Sequence, residues 1–253
     1  MLGYKDLSFK KRLEYYLTMK NFFLLIFFLL PVTLFADEPK FTHESELGLL
    51  LVSGNSDQNV FNFQTRNSSP MGNYFLKFGG HYTAGRANSV LNTENWDVNV
   101  RLERVLTQRF SIYFTEIIEA NRFAGFSFRS KSELGAGYKI IQGEQTTLIG
   151  EASFQYMYEE DIPTKYLNNI LARLYGVYNY KFSENASAKL WAELLPNLTV
   201  SQDYFFNTEA SVTSNINTNF ALKFAYLYKY RGLPPDSKLN WDQTTSMSII
   251  AKI

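Results

Sequence analysis

Trp96-Asp97-Val98-Asn99-Val100-Arg101-Leu102-Glu103 places an apolar side chain at every second position and a polar or charged one between. Successive side chains of a β-strand point to opposite faces, so this octet has one apolar face and one charged face. The same period runs outward in both directions. Tyr74, Leu76, Phe78 and Tyr82 interleave with Lys77, Gly79, His81 and Thr83. Leu134, Ala136, Tyr138 and Ile140 interleave with Glu133, Gly135, Gly137 and Lys139. Phe220, Leu222, Phe224, Tyr226 and Tyr228 repeat the pattern, with Lys223 on the opposite face. From Glu44 onward no apolar run reaches the length of a spanning helix, and a helical period is absent.

Twelve such segments are predicted, at 44–53, 59–67, 73–83, 95–106, 110–120, 130–141, 146–158, 166–180, 186–195, 204–213, 219–230 and 242–253. Within the fifth, Thr115-Glu116-Ile117-Ile118-Glu119 departs from strict alternation and reads as the place for a bulge. The connections alternate in length. Ser68–Gly72, Thr107–Arg109, Gln142–Gln145, Lys181–Asn185 and Ser214–Thr218 are short. Ala84–Glu94, Asn121–Arg129, Glu159–Lys165, Pro196–Asp203 and Arg231–Trp241 are longer, and Gly54–Gln58 is a short connection on that same side. An even number of strands, with short turns at one end and longer loops at the other, is the pattern of an all-β, antiparallel, up-and-down transmembrane β-barrel. In hydrocarbon every backbone N–H and C=O must be paired, so a spanning sheet closes on itself. Its outer face is then apolar, its inner face polar, and aromatic residues mark the two water–lipid boundaries. Tyr156 and Tyr158, Tyr178 and Tyr180, Tyr204 and Phe205, and Tyr226, Tyr228 and Tyr230 cluster at strand ends as that girdle requires.

Composition agrees. Phe 22, Tyr 17 and Trp 3 in 253 residues make 17% aromatic, yet the mean hydropathy is −0.21, an unusual pairing for a water-soluble core. A formal net charge of +1 excludes the basic surplus that nucleic-acid binding needs. The chain has no Cys and two His, which removes disulfides, thiolate chemistry and cysteine-ligated metals; no cofactor is expected.

The first residues read as an export signal. Met19-Lys20-Asn21 precedes the apolar run Phe22–Leu30, followed by Pro31 and a small residue, Ala36. Residues 1–36 are therefore expected to be a signal peptide with an over-long start, the true start being Met19, and residues 37–43 a periplasmic lead into a barrel over 44–253. Without residues 1–36 the chain carries 20 bases and 22 acids.

Several stretches carry a resemblance. These are Glu46-Leu47-Gly48-Leu49-Leu50-Leu51-Val52-Ser53-Gly54-Asn55-Ser56-Asp57, Tyr113-Phe114 with Arg122-Phe123-Ala124-Gly125-Phe126, and Glu133-Leu134-Gly135-Ala136-Gly137-Tyr138-Lys139-Ile140-Ile141. Thr147-Leu148, Tyr158-Glu159-Glu160 and Leu194-Leu195-Pro196-Asn197-Leu198 add to them. Together they resemble a bacterial outer-membrane family, domain of unknown function 481, some of whose members are described as salt-induced outer-membrane proteins. The resemblance implies an outer-membrane barrel of uncharacterised activity, bearing no catalytic residues to carry over. It also implies an aromatic last residue read by the assembly machinery, where this chain has Ile253.

Projection of the polar faces inward lines the lumen with Arg66, Lys77, Arg101, Glu103, Glu133, Lys139, Glu151, Arg173, Lys189, Glu193, Glu209 and Lys223. Seven bases and five acids sharing one interior predict ion-pair ladders, and their residual charge would set any selectivity. Twelve strands fall between barrels filled by side chains and barrels with wide aqueous channels. Gly79-Gly80 and Gly135-x-Gly137 lack the strand-to-helix context of a phosphate loop and read as sites of close packing or bending. His81 reads as a lumen side chain, and His43 as a surface residue ahead of the first strand. Glu133 and Glu151 read as salt-bridge partners before they read as an acid/base pair.

The functional expectation is a structural or stress-responsive outer-membrane barrel, not an enzyme, with a narrow, charged lumen largely filled by side chains. The alternatives are a narrow channel for ions or small polar solutes and, more remotely, an outer-membrane lipid enzyme using His81. The expected partners are outer-membrane lipid and, during biogenesis, the outer-membrane assembly machinery. The termini are expected in the periplasm.

Overall fold

The computed structural model describes residues 41–52, 58–87, 90–162, 165–235 and 238–252. The expected signal peptide, residues 53–57 of the expected first connection and Ile253 lie outside the described residues. The strands are β1 (Thr42–Val52), β2 (Gln58–Met71), β3 (Tyr74–Ala87), β4 (Val90–Val105), β5 (Phe110–Asn121) and β6 (Phe126–Gln142). They continue as β7 (Thr146–Asp161), β8 (Lys165–Lys181), β9 (Ala186–Leu195), β10 (Phe205–Asn215), β11 (Phe220–Arg231) and β12 (Trp241–Lys252). Every strand pairs antiparallel with its neighbours in sequence. β1 pairs with β12 from Glu44↔Lys252 to Gly48↔Ser248, closing the sheet. Closure removes both edges, which is the condition for a sheet to cross a bilayer.

The burial pattern is that of a transmembrane barrel, inverted with respect to a water-soluble domain. Leu134, Phe154, Met247 and Leu174 are 67%, 66%, 65% and 57% exposed. Glu46, Glu133, Glu159, Arg129, Arg231 and Lys223 are buried. Large apolar side chains therefore stand on the outer wall and ionisable ones fill the interior.

Local chemistry sets the short turns. Thr107 Oγ1 accepts from the N–H groups of Arg109 and Phe110. Ser183 Oγ does the same for Asn185 and Ala186, and Asn217 Oδ1 for Asn219 and Phe220. These side chains stand in for backbone acceptors where the ladder reverses. Gly72, at φ 60°, supplies the left-handed residue between β2 and β3.

Three expectations are corrected. Most of the predicted loops Ala84–Glu94 and Asn121–Arg129 is strand, because β3 runs to Ala87, β4 starts at Val90 and β6 starts at Phe126. The polar alternation there simply continues the hairpins beyond the apolar band. His43 lies inside β1, not ahead of it. In β5 the stretch Thr115–Glu119 holds no bulge: its register with β4 is unbroken from Asn95↔Asn121 to Val105↔Ser111. The shift on the β6 side falls between Glu119 and Asn121. What breaks the chemical pattern is Glu116, on the outer face, where it accepts a 2.6 Å bond from Ser132 Oγ.

Candidate functional site

The lumen is held by three ionic clusters. In the first, Arg101 of β4 binds Glu151 of β7 through two nitrogens, at 3.2 and 2.8 Å. Arg173 of β8 binds Glu133, Glu151 and Glu193 at 3.1, 3.1 and 2.7 Å. Glu133 also accepts from Tyr113 and Ser153 at 2.8 Å each and from Gln155 at 3.2 Å. Lys77 and Glu103 extend the cluster across β3 and β4 at 2.7 Å. The Arg101 guanidinium lies 3.6 Å from the centre of the Tyr113 ring, so the cation is covered as well as paired.

The second cluster sits where the sheet closes. Glu46 of β1 meets Arg66 of β2 at 3.1 Å, Lys223 of β11 at 3.4 Å and the Ser248 hydroxyl of β12 at 2.6 Å. Glu209 shares Lys223 at 3.4 Å.

The third cluster lies toward the long-loop end. Arg231 of β11 binds Asp203 through two nitrogens at 3.0 Å each and Glu159 of β7 at 2.7 Å. Arg129 of β6 also binds Glu159, and reaches Glu119 at 2.8 Å. Asp203 arrives on the segment after β9, which does not leave the barrel directly. Ala172 N–H bonds Pro196 O at 3.0 Å, Leu198 N–H bonds Ile170 O at 2.7 Å, and Asn197 is buried. Beside this cluster Met157, Leu171, Leu195 and Phe205, on the adjacent strands β7 to β10, form an apolar cluster.

Accessibility changes along the lumen. The inward positions of β7 run Ser153 8%, Gln155 3%, Met157 1% and Glu159 0% exposed toward the long loops. Toward the short turns the interior opens into a cavity of about 420 Å³ lined by Arg109, Lys139, Tyr175 and Trp191, among others. Buried charges are tolerated here because each is paired and hydrogen-bonded.

A family model described as a protein of unknown function, DUF481, matches residues 45–253. The chain belongs to the DUF481 family. No curated protein matches its sequence. Among solved structures, the NanC porin is similar at 8% identity and a TM-score of 0.52, over 84% of this chain and 98% of the porin. The KdgM porin in complex with disordered oligogalacturonate is similar at 10% identity and a TM-score of 0.46, over 83% and 97%. The translocator domain of the autotransporter NalP from Neisseria meningitidis follows at 8% and 0.43, over 83% and 86%. At such identities the likeness concerns the fold.

In this DUF481 barrel the structure joins ten of the twelve anticipated lumen residues into ion pairs: Arg66, Lys77, Arg101, Glu103, Glu133, Glu151, Arg173, Glu193, Glu209 and Lys223. Lys139 and Lys189 are exposed and make no ion pair among the described residues. His81 stands beside Asp97 at 3.3 Å and Thr83 at 2.8 Å on the lumen side. The glycines act as read at two places. A Cβ at Gly135 would lie 2.5 Å from Ser153 Cβ and 2.6 Å from the Tyr113 ring, and one at Gly79 would lie 2.5 Å from Thr65 O. Sequence reasoning missed Glu46, Arg129, Glu159, Asp203 and Arg231. Parity was the available signal: Glu159 keeps step with Glu151 and Gln155, and Arg231 with Lys223.

Proposed function

We propose that this DUF481 chain is an outer-membrane barrel of structural role whose lumen is closed by its own side chains toward the long loops and wet toward the short turns. The observation that carries this is Glu159, fully buried and held by Arg129 and Arg231 from strands on different sides of the barrel. Short turns belong on the periplasmic side in barrels of this kind, so both termini would be periplasmic. The outer wall would meet outer-membrane lipid, and the assembly machinery would be a partner during insertion only. Liposome swelling tests the reading. Vesicles carrying the refolded chain should swell in small sugars no faster than empty vesicles; fast swelling would contradict it.

A second reading, a narrow channel for ions or small polar solutes, is favoured by the open cavity with its exposed Arg109 and Lys139. In that reading the apolar cluster moves aside, and the cations that make no ion pair among the described residues bias passage toward anions.

A further inference from the structure

The outer wall carries a chain of hydrogen bonds that the lumen does not use. On β1, Glu44 and Glu46 point inward to Arg66, so His43 and Ser45 face outward with Leu47. On β2, Arg66 is inward and Asn67 outward, opposite His43 in the register. Ser45 Oγ lies 2.9 Å from His43 Nε2, and His43 Nδ1 lies 2.7 Å from Asn67 Oδ1. The orientation of the amide is decided by its nitrogen: Asn67 Nδ2 donates to the Phe78 carbonyl at 3.2 Å and to Thr65 Oγ1 at 3.3 Å. Its oxygen therefore faces the imidazole and accepts from Nδ1–H, which leaves Nε2 as the acceptor of the Ser45 hydroxyl proton. Asn67 is buried at 8% exposure, while His43 and Ser45 are only half-buried.

We propose that Ser45, His43 and Asn67 form a nucleophile–base–orienter site on the lipid-facing wall, acting on carboxylic esters of long-chain acyl groups. A hydroxyl within hydrogen-bond reach of a base, itself oriented by a third side chain, is the arrangement that activates a serine. The location names the substrate class. Ser45 is three residues into β1, near the short-turn end, and Leu47, exposed Phe63 and Ile249 begin the apolar band beside it. Ester carbonyls of a glycerolipid lie at that boundary, between the head group and the acyl chain, and the apolar band receives the chain.

The chemistry balances without an added group. Ser45 Oγ attacks the ester carbonyl carbon as its proton passes to His43 Nε2. The tetrahedral adduct collapses, the carbon–alkoxy bond breaks, and the same proton moves from Nε2 to the departing alcohol, leaving an acyl group on Ser45. Water then attacks the acyl carbonyl and gives a proton to Nε2. Ser45 Oγ leaves and takes that proton back, and the fatty acid departs. Asn67 is a positioning residue that holds the imidazole and its tautomer.

The test uses the refolded full chain with dioleoylphosphatidylcholine vesicles and, separately, hexadecanesulfonyl fluoride, an acylation mimic. The wild type should release oleate and take up one sulfonyl group on the peptide containing Ser45. Ser45→Ala and His43→Ala should lower release at least about a thousandfold. Asn67→Ala should lose release that Asn67→Asp retains, since Asp keeps an acceptor at Nδ1. A folded wild type that neither releases oleate nor labels at Ser45 overturns the proposal, as does unchanged release in Ser45→Ala. Because labelling is read on the wild-type chain, the result does not depend on how well the variants fold. Neither outcome bears on whether the lumen is closed.

Discussion

Arg231 of β11 donates a 2.7 Å bond to one oxygen of Glu159 on β7 while Arg129 of β6 holds the other oxygen. β7 and β11 are not neighbours: β8, β9 and β10 lie between them around the sheet. The pair is therefore a strut across the lumen, and it lies beside the apolar side chains Met157, Leu171 and Leu195. A wall of polar residues alone would leave a water path; in the closed-lumen reading proposed above, the strut and the apolar cluster together remove it.

Loss of one partner from such a pair leaves a buried charge uncompensated, at a cost of about 3–5 kcal/mol. Glu159→Gln should lower unfolding stability by an amount in that range, measured by urea titration of the vesicle-inserted barrel. Arg231→Met combined with Glu159→Met should cost much less than the sum of the two single changes, because the residues share one network.

Two glycines should behave oppositely. At Gly135 a side chain would collide with Ser153 and the Tyr113 ring, whereas a Cβ at Gly176 meets nothing within 4 Å. Gly135→Val should cost about 1–3 kcal/mol through overpacking and loosen the Tyr113–Glu133 bond. Gly176→Ala should stay within about 0.5 kcal/mol of wild type. Equal effects in the same titration would show that the inner and outer faces are assigned wrongly.

The outer wall offers a separate check. Leu134 is 67% exposed on the face assigned to lipid. Leu134→Arg should destabilise the membrane-inserted barrel by about 2–4 kcal/mol. Lys189→Ala, which removes an exposed lumen cation with no ion pair among the described residues, should change stability by less than about 0.5 kcal/mol. A tolerated Leu134→Arg would contradict a lipid-facing wall.

Most of the barrel is legible in the chain because a period of two fixes which residues share a face, and the turn lengths order the hairpins. Ten lumen charges found partners for the same reason. The third cluster was not legible. Glu159, Asp203 and Arg231 fall in segments that composition assigns to loops, yet β7 runs to Asp161 and β11 to Arg231. Partners separated by three intervening strands, such as Arg231 and Glu159, depend on barrel closure and curvature, which no local pattern encodes. Glu116 shows the converse. Its chemistry argued for a bulge, but the ladder with β4 holds and a hydrogen bond from Ser132 satisfies it on the outer face. The outer-wall bonds of His43 were hidden because the strand begins earlier than its apolar residues.

Single-channel recording in planar bilayers, comparing the wild type with the Glu159→Gln, Arg231→Met double variant, tests the closed lumen most directly. The account predicts a silent wild type and resolved conductance steps once the strut is removed. Steady wild-type steps that the double variant leaves unchanged would contradict it.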